Sequence, residues 1–308
     1  MTVKAWMTGA ACAVLLPAAV IAQAGDQPGT DLNFKPVYQP SLGFYGLPGL
    51  MDMPTGEAMP DGQAAVTVGS FGGITRTSLS YQFTPRLSAS FRYVSIRNWN
   101  SDGFSTYRDR NFDIRYQVRR ESLYWPSITV GLQDFAGTGI NSGEFIAATK
   151  TFQRPLSLPG TIKATLGFGW GRLGSSGAIG SPLGSTRDVF NPGDTGGQLA
   201  AGSWFRGPVA PFGGIEWQVN DKLGLKVEYS SDAYEPETSR GVFTRASRLN
   251  FGAEYQYSER LRLGGYWMYG QEIGITAQLQ LNPRRAVTPM TIAAPRAVVG
   301  RPSRAVNP

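Results

Sequence analysis

Asp134 and Glu144 come nearest to an active-site arrangement, because they flank the loop 135–143. Two carboxylates facing each other there could hold a divalent cation, bind sugar hydroxyls or serve as a glycosidase pair. The plainer reading is a pair of solvated loop acids. A hydrolase also needs one acid desolvated and aromatic sugar platforms, and nothing in the sequence requires either. Other chemistry is excluded by absence. The chain has no histidine, and its one cysteine is Cys12. His-dependent triads, Cys–His pairs and nearly all zinc sites therefore drop out. We assign no catalytic residue, metal ligand or cofactor.

The remaining charged residues follow an alternation. Leu223, Leu225, Val227 and Tyr229 are interleaved with Gly224, Lys226 and Glu228; Leu249, Phe251, Ala253 and Tyr255 with Asn250, Gly252 and Glu254. A period of two marks a strand with two different faces. About twelve such segments recur, at roughly 63–71, 74–83, 87–97, 109–119, 126–135, 143–153, 160–171, 209–219, 223–232, 246–257, 260–270 and 272–282. Most are as long as a tilted strand crossing a bilayer and nearly twice the usual soluble strand. The fold class that follows is all-β: an up-and-down antiparallel transmembrane β-barrel of about twelve strands.

Loop lengths and aromatics point the same way. Thr84-Pro85-Arg86, Asn220-Asp221-Lys222 and Ser258-Glu259 read as tight turns, with longer loops at about 98–108, 136–142, 172–208 and 233–245. Short turns at one end and long loops at the other is the layout of outer-membrane barrels. Phe83, Tyr93, Tyr124, Trp125, Phe152, Trp170, Trp217, Tyr229, Tyr255, Tyr257, Trp267 and Tyr269 fall near segment ends, where interfacial girdles lie. If the apolar set faces lipid, the lumen receives Arg76, Arg92, Asp113, Arg115, Arg119, Lys163, Glu216, Lys226, Glu228, Asp232, Arg248, Glu254 and Arg262. Of these, Arg92, Asp113, Arg115, Glu216, Lys226, Glu228, Arg248 and Glu254 are the candidate lumen residues. Unpaired charge in a confined interior is costly, so Arg–carboxylate contacts should partly close it.

The ends of the chain are different. Lys4, an apolar stretch from Gly9 to Ile21 and Ala22-Gln23-Ala24 read as a cleavable signal peptide over 1–24. Cys12 lies inside that stretch with too little sequence before it for a lipoprotein site. Residues 25–62 show no period and form a periplasmic or plug segment, in which Gly46–Gly62 either docks on the rim or enters the lumen. Residues 63–282 make the barrel. Residues 283–308 form a Pro/Ala-rich basic tail, read as disordered, whose sharper reading is contact with anionic polymer or lipid head groups. The net charge of +7 falls to +1 for residues 25–283 once Lys4 and the five tail arginines are removed. That near-neutral body argues against a nucleic-acid partner.

Gly46-Leu47-Pro48-Gly49-Leu50-Met51-Asp52-Met53-Pro54-Thr55 followed by Met59-Pro60-Asp61-Gly62 resembles the opening of the YjbH/GfcD-type outer-membrane exopolysaccharide biosynthesis proteins. Tyr107-Arg108-Asp109-Arg110-Asn111-Phe112-Asp113 is similar to that family's charged run into a strand, and Gly131-Leu132-Gln133-Asp134 to its glycine-rich hairpin. Gly167-Phe168-Gly169-Trp170-Gly171, Phe212-Gly213-Gly214-Ile215-Glu216 and Leu225-Lys226-Val227-Glu228-Tyr229 continue the likeness, which covers about residues 43–232. The chain looks like a single-barrel-length member. The resemblance implies an outer-membrane protein of exopolysaccharide or capsule export and assembly. Its implied partners are exopolysaccharide, outer-membrane lipids and other polysaccharide-export proteins. It carries over no catalytic residue. A general small-solute porin and a carboxylate-based outer-membrane enzyme remain the alternatives.

Overall fold

The computed structural model describes residues 39–283 apart from 102–103, 154, 156–157, 188–198 and 200. The expected signal peptide and nearly all of the tail lie outside the described residues. Twelve strands follow in order: β1 Ala64–Phe71, β2 Ile74–Gln82, β3 Leu87–Ser101, β4 Phe104–Arg119, β5 Ser127–Gln133, β6 Gly143–Gln153, β7 Thr161–Gly171, β8 Ala210–Gln218, β9 Leu223–Tyr229, β10 Leu249–Gln256, β11 Leu261–Met268 and β12 Glu272–Leu281. Each pairs antiparallel with its sequence neighbours, and β12 returns to β1, with Ala64 opposite Leu281 and Ser70 opposite Ile275. The result is a closed up-and-down barrel of twelve strands. Closure leaves no sheet edge with unpaired backbone groups.

Alternation decides what faces where. On β9, Leu225, Val227 and Tyr229 are exposed while Gly224, Lys226 and Glu228 are buried. On β12, Ile273, Ile275, Leu279 and Leu281 are exposed while Gln278 and Gln280 are buried. The barrel is thus apolar outside and polar inside, the inverse of a soluble core. The connections sort into two ends. One, here called the turn rim, carries the links after β2, β4, β6, β8 and β10 together with both ends of the barrel chain. The other, the loop rim, carries the stretches 134–142, 172–209 and 230–248, the last holding the single-turn helix α1, Glu235–Thr238.

Three expectations need correction. The stretch 98–108 is not a loop: β3 and β4 extend through most of it, with Trp99 stacked on Tyr107 at 5.0 Å. Asn98, at φ 58°, absorbs a bulge between Arg97 and Ser101, a conformation asparagine tolerates. Arg119 does not enter the lumen, because a register shift between Gln117 and Arg119 turns it out onto the Trp125 ring, 4.3 Å away. Trp170 and Tyr269 are not girdle residues. Trp170 is buried edge-on against Phe205 at 5.2 Å, and Tyr269 lies beyond β11 at φ 53°, which swings its ring inward.

Candidate functional site

The site is the lumen, and it is filled. Residues 39–61 enter it from the turn rim and return there. Arg262 donates to the Gln39 carbonyl at 3.1 Å, and the Asn282 amide to the Asp61 carbonyl at 3.2 Å. Between these anchors the segment folds on itself through Phe44 N–H to Met51 O at 2.7 Å and Leu50 N–H to Met53 O at 2.9 Å. Gly46 makes the bend at φ +73°, where a Cβ would stand 2.4 Å from the Ser78 Cβ; no other residue fits. Leu42, Phe44, Leu50, Met51 and Met53 are all essentially fully buried. Prolines and glycines deny this stretch a helix or strand period, so its backbone groups must find partners elsewhere.

Those partners are the charged residues of the wall. Glu228 Oε2 accepts the backbone N–H groups of Met51, Asp52 and Met53 at 2.8, 2.9 and 2.9 Å. Its other oxygen accepts the Asn250 amide at 2.8 Å. Lys226 donates to the Ser41 hydroxyl and the Leu50 carbonyl, both at 2.5 Å, and to Glu254 at 2.9 Å. Arg115 donates to the carbonyls of Pro48 at 2.6 Å, Glu57 at 2.7 Å and Thr55. Glu216 lies between Lys163 at 3.7 Å and Lys226 at 3.6 Å. Arg92 clamps Asp113 through two bonds of 3.1 and 2.9 Å. Of the eight candidate lumen residues, the structure places these seven inside.

Arg248 is the exception. It precedes β10, is half-buried, and donates to the Tyr229 hydroxyl at 2.7 Å. Strand parity stops applying where the strand does, and a rim guanidinium can reach an outer tyrosine.

At its far end the segment meets the loop rim through Asp52. One of its oxygens takes Arg76 at 3.0 Å, and the other takes the hydroxyls of Tyr234 and Tyr269, each at 2.5 Å. Tyr234 belongs to the 230–248 loop, which Arg172 ties down through Asp232 at 2.5 Å and Glu237 at 2.8 Å. Asp52, Tyr234 and Tyr269 were not among the residues expected at the site. Their one sequence signal is an acid set between two methionines, Met51-Asp52-Met53, in a stretch with no other reason to carry charge. A cavity of about 20 Å³ beside Tyr45, Pro48, Arg115 and Phe145 has room for about one water.

The two loop carboxylates are not the solvated pair the sequence suggests: both are buried, and they go separate ways. Glu144 takes both terminal nitrogens of Arg187, at 2.6 and 2.9 Å, and the Phe205 N–H at 3.1 Å, which fastens the 172–209 loop. Asp134 accepts the N–H groups of Gly139 and Asn141 at 3.1 and 3.2 Å, closing its own loop. Burial, with the Asp109 carboxylate beside it, pushes the Asp134 carboxyl up to about 7. No hydrogen bond or ion pair joins Asp134 to Glu144. Among the described residues no group of three or more acidic side chains is placed to hold a metal ion.

Residues 41–307 match the family model described as "Exopolysaccharide biosynthesis protein YbjH". The chain belongs to the YjbH family. It is 31% identical over 259 residues to the "Uncharacterized lipoprotein YjbH" of Escherichia coli (strain K12), with 80% of this chain covered. It spans only 36% of that relative's length. Among solved structures, the NanC porin matches at 9% identity and a TM-score of 0.36, covering 70% of this chain and 97% of its own. BamA from Haemophilus ducreyi lacking POTRA domains 1–3 matches at 11% identity and a TM-score of 0.28, with 73% and 71% covered. The fold itself rests on the closed strand order.

Proposed function

We propose that this chain is a non-enzymatic outer-membrane barrel that passes, guides or anchors exopolysaccharide during its export or assembly, after removal of its signal peptide. The family supports the pathway, and the apolar outer face supports the membrane. The observation that carries the reading is the filled lumen. Glu228, Lys226 and Arg115 are directed at the backbone of residues 48–57, so the interior is not an open water channel in this state. Donors and acceptors that hold a backbone can equally exchange hydrogen bonds with a hydroxyl-rich polymer. Asp134 and Glu144 are each committed to loop structure, which supports a protein without hydrolytic chemistry.

Planar-bilayer recording of the intact chain tests this against the porin reading. Little steady conductance is expected, because residues 39–61 occupy the lumen. Large, steady, non-selective conductance would overturn the proposal and favour a general porin. Loss of surface polymer on Asp134→Asn or Glu144→Gln, with the barrel intact, would favour the enzyme.

A further inference from the structure

The turn rim carries one feature that neither the strands nor the lumen require. Between β4 and β5 the chain projects as Arg120-Glu121-Ser122-Leu123-Tyr124-Trp125-Pro126, with Leu123, Tyr124 and Trp125 exposed by 76%, 85% and 55%. A tight turn needs no such side chains; three large apolar groups in water are unfavourable unless something covers them. They continue the apolar outer face, since Tyr116 and Val118 of β4 and Phe83 beside β2 are exposed just below.

Three guanidinium groups, those of Arg86, Arg119 and Arg120, frame this projection. Arg86 reaches across to the Val118 carbonyl at 3.4 Å, and the Gln117 N–H donates to the Arg86 carbonyl at 2.8 Å, which sets the β2–β3 turn against the end of β4. The bulge after Gln117 turns Arg119 outward over Trp125. All three are exposed, and among the described residues none is within ion-pair distance of a carboxylate. The nearby acid, Glu121, is already neutralised by Lys150 at 3.0 Å and also accepts the Thr151 N–H and hydroxyl, both at 2.7 Å. In the β8–β9 and β10–β11 turns of this rim the basic residue stands beside an acid, as in Asp221-Lys222 and Glu259-Arg260. The patch is therefore a concentrated positive charge fused to an apolar wedge at the edge of the outer face.

We propose that Arg86, Arg119 and Arg120 bind the phosphate of an anionic phospholipid, with Leu123, Tyr124 and Trp125 seated among its upper acyl chain and glycerol groups. Guanidinium forks match phosphate oxygens, and aromatic side chains prefer the headgroup level. A soluble anion would satisfy the arginines alone; the lipid also covers the wedge. The assignment rests on the membrane-spanning reading of the barrel.

The test reconstitutes the full chain in phosphatidylcholine vesicles with and without phosphatidylglycerol, and measures tryptophan quenching by brominated forms of each lipid. Quenching by brominated phosphatidylglycerol should exceed that by brominated phosphatidylcholine, and Trp125→Phe should abolish the excess. Each basic group near an anionic surface is worth about fivefold, so R86Q/R119Q/R120Q should lower the preference by about a hundredfold. K222Q/R260Q, on the same rim, should leave it intact. A heat-modifiable band shows that each variant is folded. An unchanged preference in the triple variant overturns the proposal while the barrel reading stands. Equal protection of Trp125 by dextran sulfate over neutral vesicles overturns it in favour of an anionic polymer. Failure to insert into either lipid overturns the membrane reading, and this site with it.

Discussion

Glu228→Gln should loosen the luminal segment without unfolding the barrel. One carboxylate oxygen receives three backbone N–H groups, and the other receives the Asn250 amide. Glutamine is nearly isosteric, so packing is kept and the change is electrostatic. Its carbonyl can take the place of Oε2, but each N–H then donates to a neutral acceptor. The difference between charged and neutral acceptors is about 1 kcal/mol per bond, or about 3 kcal/mol for the three. The glutamine NH2 would then face the Asn250 NH2. Asn250 cannot flip freely, because its Oδ1 accepts the Tyr269 N–H at 2.7 Å. A loss of about 3 kcal/mol corresponds to roughly a hundredfold greater opening. Hydrogen–deuterium exchange should therefore show the amides of Met51, Asp52 and Met53 exchanging about a hundredfold faster. Amides in the β1–β12 pairing should keep their protection, since Glu228 bonds none of them. Unchanged exchange at residues 51–53, or equal acceleration throughout the barrel, would refute the latch.

Further expectations concern the outer face, the loop rim and pH. Leu225→Arg puts a charge on the exposed face of β9 and should cost about 2–4 kcal/mol near a bilayer midplane, read as loss of the heat-modifiable band on gels. Asp52→Asn should free Tyr234 and Tyr269, raising protease sensitivity of the 230–248 loop while the barrel core resists digestion. The raised Asp134 carboxyl binds its proton more tightly folded than unfolded. The stability it contributes is full below its ordinary value of 3.8 and is lost as pH rises to about 7. Asp134→Asn should flatten that slope in urea titrations across this window; an unchanged slope would contradict the assignment.

Within strands the facing of residues was legible, because a period of two is a geometric consequence of the pleat. Lys226, Glu228 and Glu254 all sit where alternation puts them. It failed where the pleat ends or is broken: at Arg119 behind a bulge, at Arg248 ahead of β10, and at Tyr269 in a left-handed turn. The path of residues 39–61 was not legible. A segment held by Glu228, Lys226 and Arg115 takes its shape from groups far away in sequence, so no local period records it. The proline and glycine content said only that it would be neither helix nor strand. The mixed charge of the lumen was foreseen, but as ion pairs closing a channel. In fact much of it is spent on backbone groups of the inserted segment; Arg92–Asp113 is a direct pair of the expected Arg–carboxylate kind, and Lys226–Glu254 pairs through a lysine instead.

The most direct measurement of the central claim is the amount of exopolysaccharide at the cell surface after deletion of the gene, with uptake of small antibiotics followed in the same cells. Surface polymer should fall or change in form, return when the intact gene is restored, and leave antibiotic sensitivity nearly unchanged. Normal polymer with lowered small-solute uptake would contradict the account.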